Sequence, residues 1–177
     1  MALSDKQRGV ARGMAAAAAV TALVVAGLAL WQATGLVADD TPGARIAFAL
    51  RWDIAPLITL MAAIGALARH RFFTPADIDG SGLGAGSQRA HVLQAILQNT
   101  LEQLVLAVLA HLAWAVVAPV AWMAVVPAAA ILFVAGRVLF WLGYARGAPA
   151  RAFGFALTFY PTVAVIVAAA VVAVAGG

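Results

Sequence analysis

The sequence is dominated by long apolar runs that ionisable residues rarely interrupt. One run extends from about Met14 to Ala38, and another occupies the end of the chain. Because an α-helix rises 1.5 Å per residue, about 20 such residues cross the roughly 30 Å hydrocarbon layer of a bilayer. Of the 177 residues, 65% are hydrophobic and only 10% are charged, which excludes a soluble globular domain. The sequence therefore predicts an all-α integral membrane protein.

Breaks between the apolar runs divide the chain into five predicted helices. They cover residues 14–38, 54–68, 88–117, 122–145 and 151–174. Asp53 is expected to cap the second helix, with residues 46–52 forming an interfacial turn before it. The polar and glycine-rich residues 69–87 are predicted to be a loop.

The first apolar run has two interpretations. Lys6, Arg8 and Arg12 precede it, and Leu36-Val37-Ala38 could be a cleavage site, as in a secretory signal segment. The run is longer than the apolar core of most signals, which favours a retained helix. We therefore predict an N-terminal transmembrane element over residues 1–40 and a main membrane domain over residues 41–177.

Basic residues predict the orientation of the helices. If five helices alternate, eight Lys and Arg side chains fall on one side of the membrane and only Arg45 and Arg51 on the other. The side richer in Lys and Arg is normally cytoplasmic. We expect a multi-pass protein of the inner (plasma) membrane whose N-terminus and 69–89 and 146–151 loops are cytoplasmic. The net charge of +4 is thus explained without a nucleic-acid partner.

Several polar side chains lie within the predicted spans. A lone charge there costs at least about 2.5–3.5 kcal/mol, so Glu102 and Arg137 are candidate functional residues. Helical spacing places Gln98 and Asn99 on the same stripe as Glu102, and Tyr144 two turns from Arg137. These two faces are expected to meet at one depth and to line a water-accessible cavity. The alternative is a structural ion pair between Glu102 and Arg137, surrounded by interhelical hydrogen bonds.

Other reactive residue types are scarce. The chain has no cysteine, so any thiol must come from a ligand, and no metal site is predicted. His111, on the opposite side of the third helix from Glu102, is interpreted as an interfacial or structural histidine.

Three segments carry a resemblance to a known family. Gln98-Asn99-Thr100-Leu101-Glu102 contains an N-x-x-E motif, and Arg137, Tyr144 and Ala148-Pro149-Ala150-Arg151 follow in order. Residues 69–77 add a basic segment that ends in F-x-x-P-x-D. This set resembles the MAPEG family, the membrane-associated proteins in eicosanoid and glutathione metabolism, over roughly residues 54–174.

The resemblance implies a four-helix membrane bundle, here with an extra N-terminal helix, that assembles as a homotrimer. Glutathione would bind as co-substrate between subunits, toward the cytoplasmic side. Carried over residue by residue, Asn99 and Glu102 would hold the tripeptide, with Arg137, Tyr144 and the neighbouring Gln98 in the same site. Arg151 would hold or activate the thiol.

The resemblance also implies an activity, with an alternative. The active form would be a glutathione transferase or peroxidase that acts on hydrophobic electrophiles drawn from the membrane lipids. The alternative is a non-catalytic lipid-binding or scaffold protein of the same fold. Five positions depart from the polar or basic residues found in various family members: Ala95, Gln98, Phe140, Ala152 and Phe155. Of these, Ala95, Phe140 and Ala152 favour the alternative.

Overall fold

The part of the chain that the structure describes folds into five long helices. A computed structural model describes residues 3–31, 35–37, 39–80 and 82–176. The helices are α1 (Asp5–Leu30), α2 (Pro42–Phe73), α3 (Gln88–Val117), α4 (Val125–Tyr144) and α5 (Ala148–Ala175), with short 3-10 turns at Pro75–Asp77 and Val120–Trp122. Each of the five helices is long and apolar enough to cross a membrane. For α4 this span includes the 3-10 turn that precedes it, Val120–Tyr144. The predicted all-α, multi-pass architecture is confirmed.

The bounds of α1 differ from the sequence prediction at both ends. The helix begins at Asp5 because Ser4 caps it and exchanges hydrogen bonds with Gln7 in a capping box. It ends at Leu30, short of the predicted Ala38. Residues 32–34 and 38, which include part of the possible cleavage site, lie outside the described residues.

The second helix corrects three expectations. It runs without interruption from Pro42, capped by Thr41, so the predicted interfacial turn over residues 46–52 is wrong. Asp53 is not an N-cap but a fully buried residue inside the helix, where its Oδ1 lies 2.6 Å from His111 Nδ1. The helix also continues through residues 69–73, which had been predicted as loop. A buried carboxylate requires a polar partner, and His111 supplies it from α3.

The connection between α2 and α3 is held by polar contacts. Asp77 accepts hydrogen bonds from the Ser87 backbone N–H and hydroxyl, both at 2.6 Å. His70 Nε2 lies 2.9 Å from the same carboxylate. The Pro-x-Asp segment thus joins the end of α2 to the cap of α3, and α2 and α3 run antiparallel.

Small residues allow α1, α4 and α5 to pack closely. A Cβ atom placed on Gly154 would lie only 2.3 Å from the Phe140 nitrogen of α4, so this crossing requires glycine. On the other side of α5, Gly9 meets Pro149 and Ala17 packs with Ala156. The earlier residue of α1 contacts the earlier residue of α5, and the later one contacts the later one. The two helices therefore run parallel.

Candidate functional site

A cavity of about 350 Å³ lies near the starts of α1 and α5, between residues of α1, α3, α4 and α5. Three of its lining residues are polar: Asn99, Tyr144 and Arg151. The rest of its wall is apolar and consists of Val10, Met14, Phe140, Ala148, Ala152 and Phe155. Three of the six predicted site residues therefore line one cavity.

Arg151 lies in the first turn of α5, where it stacks on Tyr144. Its guanidinium carbon is 4.2 Å from the centroid of the Tyr144 ring. The helix starts after Gly147, whose φ is +97°, and no side chain caps its first N–H groups. The positive end of the helix and the guanidinium act in the same direction, so the cavity favours an anion beside Arg151.

Arg137 lies behind this wall and does not line the cavity. It is only 3% exposed, and its guanidinium donates to Asn99 Oδ1 at 2.8 Å and to Thr158 Oγ1 at 2.6 Å. The same group lies 4.5 Å from the centroid of the Phe140 ring. Arg137 thereby joins α3, α4 and α5 and fixes the orientation of the Asn99 amide.

Glu102 and Gln98 lie elsewhere on α3. Both are exposed in the single chain, and Gln98 Nε2 donates to Glu102 Oε1 at 2.9 Å. Among the described contacts no ion pair joins Glu102 to Arg137, whose hydrogen bonds go to Asn99 and Thr158 instead. The structure thus brings Asn99, Arg137, Tyr144 and Arg151 together and leaves Gln98 and Glu102 on another face.

Sequence reasoning missed two parts of this arrangement. Thr158 accepts from Arg137 and donates to the Phe155 carbonyl at 2.7 Å. A threonine near Pro161 was expected to bond backbone carbonyls of its own helix, and nothing in the sequence marked it as a partner of Arg137. Val10 and Met14 of α1 were also missed, because the contact of α1 with α5 arises only in the folded chain.

Outside the cavity, the described residues contain a second buried polar pair, Asp53 with His111. Within the described residues, neither Asp53 Oδ2 nor His111 Nε2 has a hydrogen-bond partner. No group of three or more potential metal ligands occurs in the described part of the chain. The pair is best explained as an interhelical contact between α2 and α3.

Comparison with known proteins gives one match. The model of the MAPEG family matches residues 14–171, which is most of the chain. No curated protein and no solved structure matches.

Proposed function

This chain belongs to the MAPEG family, and we propose that it binds glutathione in the cavity at Arg151 and joins it, through its sulfur, to hydrophobic electrophiles from the bilayer. The observation that carries this proposal is the placement of Arg151, Tyr144 and Asn99 around one cavity at the uncapped start of α5. A thiolate is the attacking species in such chemistry, and a nearby cation favours thiolate over thiol. The related peroxidase activity would use the same bound thiolate.

Each polar residue has a distinct part in this proposal. Arg151 stabilises the thiolate, and Tyr144 lies beneath its guanidinium and completes the wall. Asn99 holds the polar backbone of the tripeptide. Arg137 acts through Asn99 as a positioning residue, since it does not line the cavity.

In the transferase reaction the thiol first loses its proton to water at the cytoplasmic face. The thiolate then attacks an electrophilic carbon, so that a carbon–sulfur bond forms while the bond to the leaving group breaks. The leaving group departs with the electron pair. Arg151 and the start of α5 lower the barrier because they hold the anion in place before the attack.

The exposure of Glu102 and Gln98 on one face of α3 supports the proposal that the protein assembles as a homotrimer. An exposed carboxylate within a membrane span is costly unless it faces protein or water. We place this face of α3 against a neighbouring copy, where Glu102 would reach the amino group of a glutathione held between subunits. The charge asymmetry of the loops supports a site on the cytoplasmic side of the inner membrane.

A second candidate function is supported by the apolar wall. Phe140, Ala152 and Phe155 line the cavity at positions where various family members carry a polar group. A non-catalytic protein that binds lipid or acts as a scaffold would tolerate these residues. Binding of glutathione without turnover would favour this second function.

The decisive comparison is Arg151→Ala against Arg146→Ala in detergent-solubilised protein. Arg146 is an exposed arginine that precedes the same helix and does not line the cavity. Its replacement by alanine removes the same charge as Arg151→Ala does. A lost hydrogen bond to a charged group is worth about 1.5–3 kcal/mol, so we expect Arg151→Ala to weaken glutathione binding about 10- to 100-fold by calorimetry. Conjugation of an aryl halide should fall with it, while Arg146→Ala retains both. Equal behaviour of the two variants would remove the role proposed for Arg151.

A further inference from the structure

One wall of the cavity is formed by α1, the first of the five described helices. We infer that α1, through Val10 and Met14, is a specificity-determining element that admits compact, uncharged electrophiles and excludes those with bulk near the reactive carbon. The inference rests on the proposed function for its substrate. The position of α1 itself does not depend on that function.

The docking of α1 on α5 is close and specific. A Cβ atom on Gly9 would lie 2.9 Å from Pro149 Cβ, and one on Gly13 would lie 3.0 Å from the Phe153 nitrogen. Ala17 and Thr21, one and two turns further along this stripe, are buried. Small residues at four-residue spacing allow two membrane helices to approach in this way. Side chains on either side of the stripe are therefore held at a fixed distance from α5.

Two residues beside this stripe reach the cavity. Val10 and Met14 line it together with Ala148 and Ala152 from the first turns of α5. Arg151 lies on the same segment of α5, so the α1 wall faces the region where the thiolate is proposed to bind. An electrophile that reacts with this thiolate has to fit between α1 and α5.

The chemistry of the wall selects the class of electrophile. Val10, Met14 and Phe155 offer no hydrogen-bonding groups, so a charged or strongly polar substituent there would lose its solvation without compensation. The cavity of about 350 Å³ is near the lower end of ligand-site volumes and has to hold part of glutathione as well. Small aryl halides fit this description, whereas branched or polycyclic electrophiles do not.

The position of α1 is tested by a disulfide in the full chain, which has no cysteine of its own. A Cβ atom at position 13 would lie 3.2 Å from Ala152 Cβ, close to the 3.5–4.5 Å that disulfides require. We expect the double variant Gly13→Cys/Ala152→Cys to form an intrachain disulfide on mild oxidation. Gly27→Cys/Ala152→Cys is the control, because no described atom of another helix lies within 4 Å of a Cβ at position 27. Absence of the bond in the first variant, or a bond between two chains, would overturn the inference.

Selectivity is tested with Met14→Ala and the control Leu23→Ala. Leu23 is a 73% exposed residue of the same helix that does not line the cavity. We expect Met14→Ala to raise the ratio of kcat/KM for a bulky over a compact aryl halide about tenfold, a shift within the range that small changes in apolar pockets produce. Leu23→Ala should leave the ratio unchanged. An equal ratio in both variants and wild type contradicts the inference.

A labelling experiment separates this inference from the proposed function. The single variants Met14→Cys and Ala15→Cys are treated with N-ethylmaleimide and with a pyrene maleimide. Ala15 is exposed, adjoins Met14 on α1 and does not line the cavity. At position 14 the compact reagent should react at least about tenfold faster relative to the bulky one than it does at position 15. This selectivity without turnover would refute the proposed transferase and retain the α1 wall. Equal selectivity at the two positions refutes the wall, whatever the turnover.

Discussion

At the scale of single residues, Arg137 shows how a charge is accommodated inside the bundle. Its guanidinium donates to Asn99 on α3 and Thr158 on α5 and packs on the ring of Phe140. These contacts use groups from three helices, so the residue contributes to stability and to the geometry of the cavity. The sequence identified the arginine, but its partners depend on how the helices rotate against one another.

The first prediction concerns Thr158. In Thr158→Val the buried guanidinium loses an acceptor while the shape of the side chain is nearly kept. We expect the free energy of unfolding to fall by about 1–3 kcal/mol because a buried donor of a charged group is left unpaired. Thr162→Val is the matched control, since Thr162 is equally buried and bonds only to the Thr158 carbonyl of its own helix. Denaturation in mixed micelles measures both, and equal losses would contradict the assigned role.

A second residue-scale prediction concerns pH and Asp77, which lies outside the membrane-spanning segments. The hydroxyl of Ser87, its backbone N–H and the neighbouring His70 hold the pKa of Asp77 below its usual value of 3.8. Since the folded pKa is the lower one, the carboxylate stabilises the fold fully above about pH 4, and this contribution is lost as pH falls through the folded pKa. At neutral pH the melting temperature of the wild type should be higher than that of Asp77→Asn. The difference between the two melting temperatures should shrink below about pH 4. A difference that does not change between pH 7 and pH 3 would contradict this account.

At the scale of elements, α2 illustrates where local sequence signals mislead. Asp53 stands three residues before Pro56, which resembles the start of a helix. In the structure Pro56 lies inside a continuous helix, and Asp53 meets His111 across the bundle. Tertiary contact between α2 and α3 decides the outcome, and a single sequence does not reveal that contact.

The pairing of Asp53 with His111 leads to a third prediction, tested by a double-mutant cycle. Removal of one partner leaves the other buried and unpaired, so Asp53→Leu or His111→Leu alone should destabilise the fold by about 3–5 kcal/mol. Replacement of both together should cost much less than the sum, because two apolar groups need no polar partner. Thermal unfolding of the three variants gives the coupling energy. Additive losses would show that the two side chains act independently.

The helix α1 was predicted as an element but not as part of the site. Its apolar length and its N-terminal charges were readable from the sequence. Gly9 and Gly13 can be recognised as a packing surface only when the facing surface of α5 is known. Glycine and alanine are also frequent elsewhere in the chain, so the sequence does not distinguish these positions. The contribution of Val10 and Met14 to the cavity therefore required the structure.

At the scale of the whole molecule, the number and order of the helices followed from hydropathy because lipid permits few ways to bury a backbone. The cavity was foreseen only in part. Asn99, Tyr144 and Arg151 lie together as the resemblance implied, whereas Glu102 faces away. Spacing along a helix gives the relative direction of its side chains but not its rotation within the bundle. The assembly proposed for several chains would cover the face that carries Glu102.

The central claim is that this cavity holds glutathione as a thiolate beside Arg151. It is tested most directly by the ultraviolet absorbance of the bound thiolate during a pH titration of the protein–glutathione complex. In wild type and Arg146→Ala, the thiolate absorbance of bound glutathione should appear at least about one pH unit below the range in which free glutathione ionises. In Arg151→Ala it should appear closer to the range of free glutathione. A transition that is the same in all three proteins, or a wild type that binds no glutathione, would contradict the account.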